Sequence, residues 1–282
     1  MATQDVLTAA SVALRAEQLP AAVELSRALE WPYRLEDWTF AFRLGRGFAV
    51  ERDGRLAATA LWWPYGEHFA STGMVIVAAD ARRLGIGRAL MDAVLADAGA
   101  RTVVLNSTQE GLPLYARLGF EPIGQVHQHQ AVLERAPEMP DAPIRRFAIE
   151  GLGEIRALDA DATGMPREIL LDALLDTADT LVIERAGRIT GYGCARVWGR
   201  GIVVGPVVAE NDADARALIA ALSVPHVGKF VRIDVTAASG LSPWLDTIGL
   251  PRVDQVVTMA RGMPPAGTGN ARLFSLSNQS LG

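Results

Sequence analysis

The stretch Met74-Val75-Ile76-Val77-Ala78-Ala79-Asp80-Ala81-Arg82-Arg83-Leu84-Gly85-Ile86-Gly87-Arg88-Ala89-Leu90 decides how this chain is read. It opens with a short, fully apolar strand, Met74–Ala78. It closes in a helix over Gly87–Ala98, where Leu90, Met91, Val94 and Leu95 recur at helical spacing. Between them lies Arg82-x-x-Gly85-x-Gly87. Glycines let such a loop turn its N–H groups inward without obstruction by Cβ. The helix N-terminus adds partial positive charge, and Arg82, Arg83 and Arg88 add full charges, so the segment makes a seat for a pyrophosphate. A dinucleotide fingerprint needs glycine where Leu90 stands, and a P-loop needs Gly-Lys-Ser/Thr, which is absent.

Outward from this loop, the sequence predicts a helix over Pro20–Glu30 and an aromatic-rich helix or loop over Trp31–Leu44. Two strands, Phe48–Glu51 and Leu56–Trp63, flank the turn Arg52-Asp53-Gly54-Arg55. Beyond the loop helix come a strand at Thr102–Leu105, a short helix Leu112–Leu118 closed by Gly119, and one or two strands in Phe120–Leu133. The stretch Glu134–Pro143, with three prolines, reads as a linker. Much of the order then recurs. Val182–Ile189 matches Ala49–Leu56, Ala215–Leu218 matches Gly87–Leu90, and Ile248-Gly249-Leu250 matches Leu118-Gly119-Phe120. Three matches in one order point to an internal duplication.

Composition narrows the chemistry. The chain has 282 residues, enough for about two domains, and half of them are apolar. The single cysteine, Cys194, excludes a disulfide, a CxxC pair and a cysteine-rich zinc site. Four histidines without an HExxH motif argue against a metal centre. Lys229 is the one lysine among 27 basic residues and lies in no readable motif, so Schiff-base chemistry is disfavoured. A formal net charge of −5 does not suit a nucleic-acid binder. There is no apolar run of membrane-spanning length, and Met1–Ala10 does not read as a signal peptide, so neither a nucleic acid nor a membrane is an expected partner. A cytoplasmic location is the expectation.

The loop is followed by Asn106 and then by Tyr115-Ala116-Arg117-Leu118-Gly119-Phe120. Together they resemble the GNAT superfamily of acyl-CoA-dependent N-acyltransferases. The whole chain is similar to tandem-GNAT proteins whose second half has diverged. The resemblance implies an α/β fold of two tandem GNAT-like domains, each a mixed, splayed β-sheet flanked by helices. Residues 1–135 form the catalytic domain, 136–143 the linker, 144–262 a degenerate domain and 263–282 a C-terminal tail. Ala79 and Ala81 depart from the family, which often has Pro and Tyr or His at these places.

The resemblance also implies roles. The cosubstrate is acetyl-CoA. Val75, Ile76 and Val77 pair with its pantetheine arm like an added strand, and the N–H groups from Arg83 through Leu84, Gly85, Ile86 and Gly87 to Arg88 hold its pyrophosphate. A free N–H near Ile76 polarises the thioester carbonyl. Tyr115 protonates the departing thiolate. Asn106 either contacts cofactor or amine, or simply ends its strand in a turn. Trp31, Tyr33, Trp38, Trp62 and Trp63 flank the acceptor cleft, although they are also good core. The acceptor is a small-molecule amine. Its general base stays open among Glu36, Asp37, Glu67, His68, His127 and His129, and His129 is placed with the acceptor group.

In the second half the counterpart of Ala78–Leu90 is Ala209–Leu218, 13 residues against 10. Both glycines and the Arg pair are gone, while Glu210, Asp212 and Asp214 remain. Leu245 stands at the Tyr115 position. This half is therefore expected not to bind CoA, and Asp159 and Arg167 are candidates for polar contacts there. The leading expectation is an N-acetyltransferase in which a primary amine attacks acetyl-CoA directly. The competing expectation is a non-catalytic CoA- or ligand-sensing protein.

Overall fold

The computed structural model describes residues 11–282, and the reading of Met1–Ala10 lies outside them. The first half runs β1 (Val12–Ala13), α1 (Leu19–Arg27), α2 (Leu35–Leu44), β2 (Arg46–Arg52), β3 (Arg55–Tyr65), β4 (Phe69–Val77), α3 (Ile86–Ala98), β5 (Thr102–Ser107), α4 (Leu112–Arg117) and β6 (Glu121–Val132). The second repeats the order with β7 (Ile144–Arg146), α5 (Leu152–Thr163), α6 (Glu168–Thr177), β8 (Asp179–Arg185), β9 (Arg188–Trp198), β10 (Gly201–Ala209), α7 (Asp212–Ser223), β11 (Phe230–Thr236), α8 (Ser242–Thr247) and β12 (Arg252–Arg261). A further strand, β13 (Arg272–Ser275), follows. The repeated hairpins match down to their turns: Asp53 and Gly54, like Ala186 and Gly187, all have positive φ. That is the turn whose twist suits a two-residue hairpin loop.

The duplication does not give two separate sheets. Among the described residues all strands join in one sheet of order β1-β2-β3-β4-β5-β12-β6-β11-β13-β10-β9-β8-β7. The last strand of each half is exchanged. β12 pairs antiparallel with β5 of the first half, β6 pairs antiparallel with β11 of the second, and β6 and β12 pair with each other. The boundary expected at residues 136–143 does not divide the sheet.

Three large apolar clusters cover the sheet. One lies under α3 and joins Leu90, Met91 and Val94 to Leu105 and Phe120. Another lies under α7 and joins Leu218, Ile219 and Leu222 to Val231 and Phe274. The third belongs to both halves: Trp38, Trp63 and Ile76 pack with Leu170, Leu174, Trp198 and Leu281. A smaller one fills the space below α5 around Ile155, Leu171 and Tyr192. At its edge Asp159 and Arg167, expected as polar contacts, form a fully buried bidentate pair, with Tyr192 donating to Asp159 at 2.5 Å. Their role is internal.

Candidate active site

The local fold around the opening stretch follows from its pairing. β4 holds its parallel neighbour β5 only from Phe69 to Ser71, opposite Thr102–Val104. Beyond Ser71 the two strands part, and one edge of β4 is left open. A bulge lies at the parting point: Leu61 pairs with Gly73 but Thr59 with Ile76, and Met74 has φ 51°. Such a bulge re-aims the backbone beside a cleft.

Which amides face the opening follows from alternation. Ala78 donates to the Ala57 carbonyl at 2.8 Å. Two residues back, Ile76 therefore directs its amide to β3 as well, while those of Val75 and Val77 turn into the cleft. This moves the expected oxyanion donor away from Ile76, whose side chain is also buried on the opposite face of the sheet.

The loop after β4 carries two left-handed residues, Arg83 (φ 64°) and Gly85 (φ 78°), with Gly85 capping α3. Alternating hands along a short loop turn successive N–H groups toward one point, the geometry of an anion nest. A Cβ on Gly85 would meet nothing within 4 Å, so the space above it is open. These features fit a diphosphate.

A cleft of about 1120 Å³ runs from this nest through the gap between β4 and β5. Val75, Val77, Arg82, Arg83, Gly85, Ile86, Gly87 and Arg88 line it, as do Asn106 and Tyr115. Leu84 and Ile76 do not. Tyr115 is buried to 9% exposure against Phe120, and its hydroxyl has no hydrogen-bond partner among the described residues. Burial pushes its phenol up to about 12. The Asn106 side chain is occupied from both sides, donating to the Gln279 carbonyl at 2.9 Å and accepting from Thr258 at 2.8 Å. It ties β5 to the last segment of the chain.

The expected acceptor residues divide. Trp31 and Tyr33 line the cleft from the α1–α2 connection, and Tyr33 stacks edge-on against Trp198 of the second half. Trp38 and Trp63 do not line it. Both are core, with their indole N–H groups spent on Ser26 and the Ala41 carbonyl. Trp62, on the other face of β3, binds Asp97. His129 is likewise withdrawn from the cleft. It is fully buried under α8, its Nδ1 donating to the Leu250 carbonyl at 2.8 Å and its Nε2 bonded to Ser242 at 2.9 Å. His127 bonds the same hydroxyl at 2.8 Å, and burial lowers its pKa. Glu36, Asp37, Glu67 and His68 are also absent from the cleft lining. Asp37 instead braces Arg34 and the Gly199 amide.

The Ser242 cluster anchors α8 to β6. Replacing Ser242 by Ala leaves the His129 Nε2 without a buried partner, at a cost of about 1–2 kcal/mol. The expected result is a lower melting temperature with kcat unchanged; reduced kcat at an unchanged melting temperature would put the cluster in the chemistry.

The carboxylates that do reach the cleft are Glu30, Glu110 and Asp254. The other wall comes from positions the sequence did not single out: Gln128 and Gln130 of β6, Arg200, Arg232 of β11, Asp254 and Gln255 of β12, and Gln279 and Ser280. The last two belong to residues 271–282, which thread the molecule. β13 pairs with both β10 and β11 where these strands part, the place in the second half that corresponds to the open edge of β4. The chain then crosses to the first half. Ser71 donates to the Ser280 carbonyl at 2.8 Å, and Tyr65 donates to the Leu281 carbonyl. Gly73 is required at this crossing, since a Cβ there would lie 2.8 Å from the Ser280 Cβ.

Comparisons with known proteins agree with this fold. Residues 43–122 and residues 155–275 each match an acetyltransferase (GNAT) domain family. The uncharacterized N-acetyltransferase YitH of Bacillus subtilis is 26% identical over 278 residues, spanning 96% of this chain and 98% of that protein. Among solved structures, a Pyrococcus horikoshii protein superposes with TM-score 0.80 at 16% identity, covering 100% of this chain and 99% of its own. A tandem GNAT protein from the clavulanic acid biosynthesis pathway gives TM-score 0.65 at 17% identity, covering 92% of this chain and 98% of its own. A GCN5-related N-acetyltransferase from Sphaerobacter thermophilus gives TM-score 0.61 at 17% identity, with coverage of 92% and 97%.

Proposed function

Because the chain belongs to the GNAT family of acetyltransferases, with two such domains in tandem, we propose that residues 1–135 transfer an acetyl group from acetyl-CoA to a primary amine. Residues 144–262 and the segment beyond them complete the acceptor side and bind no CoA of their own. One observation carries this reading: a left-handed Arg83–Gly85 nest, an open β4 edge and a free phenol line the same cleft.

In this reading Val75 and Val77 hold the pantetheine arm along the open edge, and the nest and the α3 N-terminus hold the diphosphate. The amine nitrogen attacks the thioester carbon, and a cleft-facing β4 amide takes the charge that develops on the carbonyl oxygen. The C–S bond breaks and the sulfur takes the Tyr115 proton. The amine proton leaves through a cleft carboxylate, Glu30 or Asp254, to solvent. The single thiol, Cys194, plays no part; it is fully buried and burial pushes it up to about 11. Cytoplasmic conditions suit such a reduced thiol.

The test is thiol release from acetyl-CoA against a panel of small primary amines; acetyl-CoA binding without release for any amine counts against transfer. Tyr115→Phe is expected to lower kcat about 100-fold while the KM for acetyl-CoA moves less than about twofold. The reverse split removes the acid role.

The pH profile gives a separate check. The Tyr115 pKa is raised, so the phenol keeps its proton as pH climbs past the ordinary tyrosine range. We expect no fall of kcat between about pH 8 and pH 10. A descending limb near pH 9 that disappears in Tyr115→Phe would contradict the raised value.

A further inference from the structure

On the wall facing the open β4 edge, one buried carboxylate sets the direction of a chain of side-chain hydrogen bonds. Asp234, on β11, is fully buried. It accepts from Arg232 Nε at 3.0 and 3.1 Å and pairs with Arg232 Nη2 at 3.0 Å. It also accepts from Gln279 Nε2 at 3.2 Å. An ionised carboxylate only accepts, so Gln279 must turn its NH₂ this way. The same NH₂ meets the Gln128 carbonyl oxygen at 3.1 Å, which leaves Gln128 to donate to Gln130 Oε1 at 2.9 Å. Two donors at the end of this chain have no hydrogen-bond partner among the described residues: Arg232 Nη1 and the Gln130 NH₂.

Both face one place. Gln130 lies directly opposite Arg232 in the β6–β11 register, and both line the cleft. Neighbouring strands lie about 4.8 Å apart, so the two groups are within reach of a single planar oxyanion. Arg200 adds a second cation to the same wall. One strand over, on β12, Asp254 stands opposite Gln128 and also lines the cleft. The wall thus presents donors and positive charge at one end and a carboxylate at the other.

We propose that the acceptor is an amine that also carries a carboxylate, of the amino-acid type, with its carboxylate on Arg232 and Gln130 and its ammonium toward Asp254. This rests on the acetyl-transfer reading above and specifies its substrate. Arg232 suits the task because its planar fork is fixed by Asp234 on one side and free on the other, pre-organised for a bidentate oxyanion. A bound carboxylate would supply acceptors to the two donors this network leaves over. Each half contributes: Gln130 comes from the first and Arg232, Arg200 and Asp254 from the second, which gives the degenerate half a function in the site.

The experiment uses matched sets of amines, in which each amino acid is assayed beside its amide and its decarboxylated amine, with acetyl-CoA and thiol release as the readout. The expected result is a preference of at least about 50-fold in kcat/KM for the carboxylated member. The preference should fall below about fivefold in Gln130→Leu and in Arg232→Gln, with the KM for acetyl-CoA unchanged in both. Gln130 is partly exposed and bonded only through its oxygen, so that variant keeps the proposal testable if loss of Arg232 strands Asp234 and unfolds the chain. Equal or better turnover of the decarboxylated members, or a preference that survives Gln130→Leu, overturns the carboxylate reading and leaves acetyl transfer standing. No turnover of any member, with acetyl-CoA still bound, overturns both.

Discussion

Titrated with acetyl-CoA in a calorimeter, the chain is expected to bind one equivalent, and Arg83→Glu combined with Gly87→Glu is expected to weaken that binding at least about 100-fold. Both substitutions act on the nest. Arg83 loses a charge-assisted hydrogen bond to phosphate and gains a repulsion, worth together about 3 kcal/mol. At Gly87 a Cβ would meet Leu114 at 3.5 Å and Val77 at 3.6 Å, ordinary contacts, so the helix tolerates a side chain there. The loss therefore comes from the carboxylate at the α3 N-terminus and not from unfolding, and an unchanged melting temperature checks this. The stoichiometry of one has its own physical cause. In the second half the corresponding helix, α7, is capped by its own Asn211 and carries Asp212 and Asp214 in its first turn. Arg185 and Arg272 pair with those carboxylates. The parted edge of β10 is filled by β13. Two equivalents, or binding unaffected by the double charge reversal, would refute the placement of the site.

The second large effect is expected on removing residues 271–282. Phe274, Leu276 and Leu281 are all nearly or fully buried, and burial of such side chains stabilises by roughly 2 kcal/mol each. The segment also supplies a strand to β10 and β11 and backbone acceptors to Ser71, Tyr65 and Asn106. A domain's whole stability is about 5–15 kcal/mol, so a chain ending at residue 270 should melt near or below growth temperature, or fail to accumulate in soluble form. A truncated chain with a full-length melting profile and the same acceptor KM would show that the segment is a passive appendage.

The strand-loop-helix wall of the candidate site was legible because it is local. A strand, a glycine-arginine loop and a helix lie within 17 consecutive residues, Met74–Leu90, and their chemistry depends on neighbours in sequence. The duplicated hairpins were legible for the same reason. The facing wall of the cleft was not, because it is assembled from β6, β11, β12 and residues 271–282. A one-residue step decides which side of a strand a residue serves. Gln128 and Gln130 face the cleft, while His127 and His129, the more reactive residue type, face α8. The same parity sends Trp62 and Trp63 to opposite faces of β3. Trp38, Trp62 and Trp63 therefore pointed to a pocket where there is core, whereas Trp31 and Tyr33 do line the cleft. Strand exchange left no local mark either. β6 and β12 are both competent partners for β5, and nothing within either strand states which one takes that edge.

The exchanged strands also govern the order in which the chain can be made. Asn106 of β5 finds Thr258 of β12 across 152 residues. While the chain emerges from the ribosome, the first half therefore waits with the open side of β5 unpaired and β6 without its eventual neighbours, although all of its own residues are already present. Unpaired edges of this kind recruit other chains, and contacts so distant in sequence form slowly. Fusing, splitting or pausing synthesis between the halves should thus harm yield far more than the tidy proline-rich connection between them suggests.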